Sequence, residues 1–526
     1  MTDFNKLYHS VIYFLFIILL TFLCIKPVDA KTSKPAGTPV IVFQTDAWGL
    51  ENKFNAALAG LEKNIIQVYG YANPVLVEGA EYAGIWLECG PMEGAIYGII
   101  NPQVAKDNHR IFFQQQHEDG YLPCWVRKDR IGTAQIQMVV PIAATAFSVF
   151  QMTGDTTFLA EAYQACVKWD SWLEKYRNTR KTGLCEAFCE YDTGHDNSPR
   201  WENLPKKCPE DNARLCPAVG SLPYLAPDLS ATVYGGRLAL AQMARQLGNP
   251  DAEKWTMKAE ETRRALLALC FDPETLCFYD LDKNNRFIRI RGDALTRVLS
   301  EHVVDQALFE LIYTQQIKNP QAFWTPYPLP SIAADDPKFV RDIPRNSWGG
   351  ASQALTALRA PRWFDHYGKS TDLVYMMGKW IQALVKSDGF RQQIDPWSGE
   401  FTPAGDGYSP AMLVMLDYTQ RLYGVRQEGN LLEWSCLLPE TATRSSFSLQ
   451  TSGGKLELNI DQNAAHLKIA GQVVANVQGA CRIVTNNQGQ LIRIIGICPQ
   501  PVAITINRPG RENLYLKLNP DMVYQP

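Results

Sequence analysis

From about Phe54 to Val425 the chain is a succession of helix-length amphipathic runs broken by turns rich in glycine, proline and aspartate, and this pattern narrows the available folds more than any other feature. The clearest runs are Phe54 to Tyr69, Ala134 to Met152, Thr157 to Tyr176, Leu229 to Leu247, Pro250 to Leu269, Glu301 to Gln316, Ser347 to Leu358, Asp372 to Lys386 and Ser409 to Tyr423. In the run from Thr157, residues Phe158, Leu159, Ala162, Cys166, Trp169 and Leu173 recur at three-and-four spacing and mark one buried face. Gly154 and Gly248 stand between successive runs, and joints that tight fold neighbouring helices back as antiparallel hairpins. With no strand-like segments between them, the runs predict a mainly α body.

After Val425 the period changes. Leu456, Leu458 and Ile460 alternate with polar residues, as do Leu467 and Ile469, and Gly453-Gly454 and Asn486-Asn487 mark turns between short β-like runs. This predicts a small C-terminal β-sandwich-like domain over residues 428–526 that covers a helical body spanning 31–427. Residues 1–30 are a separate segment: Lys6 and His9 precede an apolar run from Val11 to Ile25 and an A-x-A-like Val28-Asp29-Ala30, the pattern of an export signal cleaved near Lys31. The run of about 15 residues is short for a spanning helix. The expected product is a periplasmic or secreted chain with no stable membrane span, an uncleaved N-terminal anchor being the alternative.

Export bears on the cysteines. Of thirteen, twelve remain once Cys24 leaves with the signal, and an oxidising compartment favours local pairs: Cys208 with Cys216, Cys270 with Cys277, Cys481 with Cys498, and also Cys185 with Cys189. The spacing of Cys185, Cys189, Cys208 and Cys216 does not match a zinc ribbon and histidine is scarce, so no metal site is expected. A net charge of −3 without any basic run argues against nucleic acid as partner. A neutral or small polar ligand fits better, and thirteen tryptophans suit stacking on sugars.

Two long loops, Thr179 to Pro227 and Gln321 to Asn346, interrupt the helical body, and loops on a rigid scaffold are where chemistry tends to sit. The first contains Glu190-Tyr191-Asp192-Thr193-Gly194-His195-Asp196-Asn197-Ser198-Pro199-Arg200-Trp201. A carboxyl such as Asp196 can donate a proton, a guanidinium such as Arg200 can bind hydroxyls or steady a carboxylate, and the Trp201 indole can stack on a pyranose. The competing reading is a surface Asx-turn with an exposed aspartate. His195 reads as pocket lining or surface. The second loop carries Phe323-Trp324-Thr325-Pro326-Tyr327-Pro328-Leu329-Pro330, suited to a rigid cavity wall. Gln135 and Gln137 open an apolar run, either binding a sugar hydroxyl or satisfying a helix start. No nucleotide-binding glycine loop, Gly-x-Ser-x-Gly elbow or metal-binding histidine pair is present.

Several segments, in one order, resemble the six-hairpin (α/α)6-barrel glycosidases of the trehalase and glycoside hydrolase family 63 group, which includes mannosylglycerate hydrolases. Gly194 to Trp201 is similar to the G-x-D-x-S-x-R acid loop, Ile85-Trp86-Leu87-Glu88 to the W-x-W-D element with glutamate for aspartate, and Asp119-Gly120-Tyr121-Leu122-Pro123 to D-G-x-I-P. Pro227-Asp228-Leu229 resembles a D-L-N-A helix start, and Ser347-Trp348-Gly349-Gly350 stands where W-R-G-P is usual. Asp395-Pro396-Trp397-Ser398-Gly399-Glu400 and Gly407-Tyr408-Ser409 resemble the E-x-Y-x-P-x-T-G-E and G-Y-S pair. The resemblance, over about 80 to 425, implies an (α/α)6 toroid and inverting hydrolysis of an α-glucoside or α-mannoside with no metal or organic cofactor. By it Asp196 is the general acid, and Trp86, Glu88, Asn197, Arg200, Trp201, Trp348 and Gln392 line the sugar pocket.

Inversion also needs a carboxylate roughly 6.5 to 9.5 Å from the acid to activate water. The family's base glutamate lies four residues before the proline of its P-x-T-G-E element, and that position here is Gln392. Three accounts follow. Asp395 or Glu400 supplies the carboxylate; it comes from elsewhere, such as Glu186 or Glu190; or hydrolysis has been lost and the barrel only binds sugar.

Overall fold

The computed structural model describes residues 40–341 and 346–526; the export-signal segment, its Val28-Asp29-Ala30 site and Cys24 lie outside the described residues. Twelve α-helices are described: α1 (Leu50–Lys63), α2 (Gly90–Tyr97), α3 (Pro102–Gln114), α4 (Ile142–Thr153), α5 (Thr156–Tyr176), α6 (Pro227–Gln246), α7 (Ala252–Leu269), α8 (Ala294–Ser300), α9 (Gln306–Ile312), α10 (Ala354–His366), α11 (Ser370–Lys386) and α12 (Ser409–Tyr423). Helices α2, α4, α6, α8, α10 and α12 each touch the next, and α12 touches α2, so they close an inner ring. Their partners α3, α5, α7, α9, α11 and α1 form the outer layer, giving the (α/α)6 toroid.

Burial separates the two layers. Leu413 to Leu416 of α12 are buried on every side, as a helix inside a ring must be, whereas α7 buries only Trp255, Ala259, Thr262 and Leu266. The hairpin joints are specified locally. Gly154 takes a φ of 68° to end α4, and the Asp155 carboxylate accepts from the Phe158 N–H to start α5.

Two antiparallel sheets follow α12. One has seven strands in the order Ile41–Thr45, Arg444–Thr451, Gly454–Asp461, Ala465–Ile469, Gln472–Gln478, Val502–Asn507 and Leu514–Leu518; the other orders Val425–Glu428, Leu431–Ser435, Arg482–Asn486, Leu491–Ile495 and Val523–Tyr524. Ile41–Thr45, ahead of the helices, pairs with Arg444–Thr451 in the register Phe43 to Phe447, so the C-terminal sheet takes in a strand from the residues expected in the helical body.

Other expectations are also corrected. The run from Ala134 is not helical until Ile142: Gln137 has a φ of 41°, and the Ile136 and Met138 N–H groups are bound by Asp192. Gln135 and Gln137 therefore sit on a pinned loop, with the Gln135 amide donating to the Gln137 side chain at 2.9 Å. The loops carry strands of two or three residues, such as Gly84–Trp86 with Trp125–Arg127. The Pro-rich run is part of the core, with Phe323, Tyr327 and Leu329 buried, Trp324 stacking on Tyr375 of α11 and the Tyr327 N–H donating to the Pro396 carbonyl. No disulfide links the twelve described cysteines in the structure, and the Cys208 sulfur meets that of Cys189, with the expected partner Cys216 packed beside the pair. No helix among the described residues is long and apolar enough to cross a membrane.

Candidate active site

The long loops 64–89, 115–141, 177–226, 270–293, 318–353 and 387–408 each run into the N-terminus of an inner helix, so all six gather at one end of the toroid. The loop between α5 and α6 is built on Asp192. Its buried carboxylate accepts from the N–H groups of Ile136, Phe188 and Cys189 and pairs with the equally buried Arg177 at the end of α5. Thr193 takes the Trp201 indole N–H on its hydroxyl at 3.0 Å and an Arg297 N–H on its carbonyl. Gly194 is required where it stands: its φ is 62°, and a Cβ there would lie 1.9 Å from Glu88 Oε2.

Asp196 emerges half-buried from this frame. Its carbonyl accepts from the Trp348 N–H at 2.9 Å, and its carboxyl accepts from the Asn346 amide at 2.9 Å. Burial, then the neighbouring Glu88 and Glu190, push its pKa up to about 8, so the carboxyl holds a proton at neutral pH. The other end of the Asn346 amide accepts from Gln392 Nε2 at 2.8 Å, and Gln392 Oε1 accepts from the Tyr82 hydroxyl at 2.9 Å. One amide thus bridges the two side chains and holds Gln392 close to the Asp196 carboxyl.

Between these walls lies a cluster of buried charge. Glu78 accepts from the Tyr408 hydroxyl at 3.0 Å, and burial and then Glu88 and Glu93 hold its carboxyl well above the usual range. Burial raises Glu88 to about 7, opposed by Arg297, by a hydrogen bond with Gln137 and by Arg359; burial raises Glu93 to about 8. Buried polar atoms without a partner among the described residues include Glu88 Oε2, both Glu93 oxygens, Gln135 Oε1, Arg297 Nη2 and Gln353 Oε1. A site rich in unused donors and acceptors suits a polyhydroxylated ligand. Trp86 is met edge-on by Tyr82 at 6.2 Å, and Trp348 packs between His195 and the Arg297 guanidinium.

Other residues expected in the site have different work. Arg200 is buried and bound on both edges, to Asp228 (2.7 Å) and Asp280 (2.5 Å), so its donors are spent on the frame and not on sugar. Trp201 is buried against Tyr224 at 5.4 Å with no free face. Asn197 is exposed and held by Lys206 and by the Asn346 carbonyl. Asp395 caps a turn, accepting from the Trp397 and Ser398 N–H groups, while Glu400 is exposed beyond it; the turn is met by the Tyr327 N–H at the Pro396 carbonyl. Glu186 accepts from Thr179 and the Arg180 N–H, and Glu190 accepts from the Asn197 N–H within the acid loop itself. None of these four carboxylates faces Asp196 from the Gln392 side. Glu78, Tyr82 and Asn346 were missed; for Glu78 the sole signal was an acidic residue ending the apolar run Val75-Leu76-Val77.

The sequence profile of the mannosylglycerate hydrolase MGH1-like glycoside hydrolase domain matches residues 95–409, more than half of the chain. The chain belongs to this glycoside hydrolase family. The GH63 mannosylglycerate hydrolase of Thermus thermophilus, solved with glucose, is 18% identical over 70% of this chain and 99% of its own, with a TM-score of 0.57. Neutral trehalase Nth1 of Saccharomyces cerevisiae is 14% identical over 66% of this chain and 73% of its own, with a TM-score of 0.52. Comparison with curated protein sequences gives no match. The two structures share the fold, and the six-hairpin toroid is the architecture of this MGH1-like glycoside hydrolase.

Two clusters in it bring three ligand-type atoms within 4.8 Å of one another: Cys189, Asp192 and Cys208, and Glu78, Glu88 and Cys89. In the first, Asp192 has both oxygens filled by Arg177 and backbone N–H groups. The second belongs to the pocket floor, where Glu78 is bound by Tyr408 and Glu88 by Gln137.

Proposed function

We propose that this MGH1-like hydrolase cleaves an α-linked glucoside or mannoside with inversion, and that Asp196 protonates the leaving oxygen. The observation that supports the reading is the Asp196–Asn346–Gln392 bridge, in which one amide joins a protonated carboxyl to the amide that stands at the family's base position. An amide positions water without taking its proton. The carboxylate on the Gln392 wall is Glu78, which reaches it through Tyr408, whose ring meets Tyr82 at 6.0 Å. In this reading Glu88, raised only to about 7 and so partly ionised at neutral pH, receives the proton of the attacking water by way of the hydrogen-bonded Glu78 cluster. A metal plays no part, so activity that survives exhaustive chelation is expected.

Gln392 itself favours a second reading, a carbohydrate-binding barrel that has kept its pocket and lost its base. One experiment separates the two. The chain, with Asp196→Asn and Glu78→Gln variants, is incubated with α-linked gluco- and manno-disaccharides and glycosyl-glycerates while proton NMR follows the released sugar and its anomer. Release of the inverted anomer, abolished by Asp196→Asn, supports hydrolysis; ligand binding by calorimetry without turnover supports the binder. We also infer export, from the charged and apolar segment ending at Val28-Asp29-Ala30. A mature N-terminus near Lys31 in the periplasmic or secreted fraction tests it.

A further inference from the structure

The loop that carries Asp196 is bracketed by two cysteines. Cys189 precedes its first turn and Cys208 closes it, both are buried, and their sulfurs lie 3.8 Å apart in van der Waals contact. The two ends of the loop already run side by side, with the Glu190 N–H on the Pro205 carbonyl and the Tyr191 N–H on the Lys206 carbonyl. A disulfide needs its sulfurs about 2.0 Å apart, so the pair closes by a shift of under 2 Å without moving the loop ends. The neighbouring groups decide between a bond and an ion. A metal would need Asp192 as third ligand, and that carboxylate is filled, while the Arg177 guanidinium, 3.6 Å from Cys208 Sγ, repels a cation. The same Arg177 N–H meets negative charge that develops on Cys208 during thiol exchange.

We propose that Cys189 and Cys208 are joined by a disulfide that clamps the acid loop between Glu190 and Lys207. Half-exposed Cys216, packed against this cluster, gives an oxidant its way in. The Cys216 thiolate attacks a low-molecular-weight disulfide, RSSR, forming a mixed disulfide and releasing one thiolate. Cys208 sulfur displaces the second thiolate, and Cys189 sulfur then attacks Cys208 and frees Cys216. Two protein thiols lose two protons and two electrons, and RSSR becomes two RSH. The bond ties both ends of a segment that holds His195, Asp196 and Arg200, and it acts on the loop whatever reaction the pocket performs.

The test equilibrates the full chain in oxidised and reduced glutathione, quenches with iodoacetamide and maps peptides by mass without reduction. A Cys189–Cys208 peptide 2 Da lighter than its two halves is expected. Oxidation should also slow tryptic cleavage after the exposed Lys206 and Lys207 at least about tenfold and raise the melting midpoint by about 3 °C, both reversed by dithiothreitol. Cys216→Ser should slow the oxidation and leave the final link unchanged. Full alkylation of both cysteines in oxidised buffer, or an end point at Cys208–Cys216, overturns the proposal, and neither readout depends on hydrolysis or needs the Cys189 and Cys208 variants to fold.

Discussion

Gln392→Glu puts an ionisable oxygen where the amide now accepts from Tyr82 and donates to Asn346. A carboxylate keeps the acceptor and loses the donor. Asn346 must therefore turn its own amide to serve the new group, and Asp196 gives up the N–H it now holds. That bond favours ionised Asp196, so its loss raises the pKa, and the new charge acts in the same direction. Two carboxylates about 8 Å apart at an effective dielectric of about 20 repel by about 2 kcal/mol, or about 1.5 pH units. A positioned general base contributes about 10²–10⁴ in rate, which is about 3–5 kcal/mol of the barrier. Turnover should rise at least about 100-fold, with the inverted anomer, and the alkaline limb of kcat/KM should move from about pH 8 toward about pH 9. Proton NMR of the released sugar across pH, with calorimetry as the binding control, reads both effects. Sugar binding retained with turnover and alkaline limb unmoved would refute the reasoning, since it would mean that water does not sit against position 392.

Asp196→Asn should lower kcat by about 10³ or more with ligand affinity nearly unchanged, and steady-state kinetics beside calorimetry would expose a merely structural role if both changed together. Because Asp196 must be protonated to act, wild-type activity should fall as pH rises through about 8. Glu93, raised from 4.5 to about 8 by burial, keeps a proton that the unfolded chain releases. Stability therefore falls by about 1.4 kcal/mol per unit as pH rises from 4.5 to 8, and Glu93→Gln removes a penalty of about 3 kcal/mol at neutral pH. Urea unfolding at pH 5 and at pH 8 checks this; an equal gain at both would sink the idea. Arg200→Ala leaves Asp228 and Asp280 buried without their cation and should cost about 3–5 kcal/mol in thermal unfolding, whereas a raised KM with an unchanged melting midpoint would restore its role as a sugar ligand.

Most of the long helices were legible because their burial is periodic and local, as in α5, although α3 was not among the runs read as helical. Gly90–Tyr97 was not, since a segment opening Gly-Pro and holding Glu93 inside an apolar shell has no polar face to alternate with. The same holds for α8, seven residues buried on every side. The apolar run from Ala134 looked helical because the sequence does not display the cause of its extended path, the carboxylate and carbonyl of Asp192 about 55 residues away, which take its N–H groups. In the site, Asp196 could be placed from its loop motif. Asp395 read as a candidate by a shift in register of the family motif around Gln392, and in the fold it caps the turn after Ile394. The two roles open to Arg200, binding hydroxyls or steadying a carboxylate, could not be separated in sequence, because whether a guanidinium is spent or free depends on Asp228 and Asp280, which only the fold brings to it.

The strand Ile41–Thr45 has a consequence for how the chain is made. It leaves the ribosome ahead of the toroid and finds its partner, Arg444–Thr451, only about 400 residues later, so at about 5–20 residues per second it waits roughly 20–80 s for that partner. The whole toroid, α12 included, is synthesised within that interval. A C-terminal domain produced alone would lack this strand and expose the Arg444–Thr451 edge to any passing chain, and a chain shortened at Thr45 would do the same with the enzyme otherwise whole. The two ends of the sequence are thus one folding unit, and the helical body between them is the loop that unit must close.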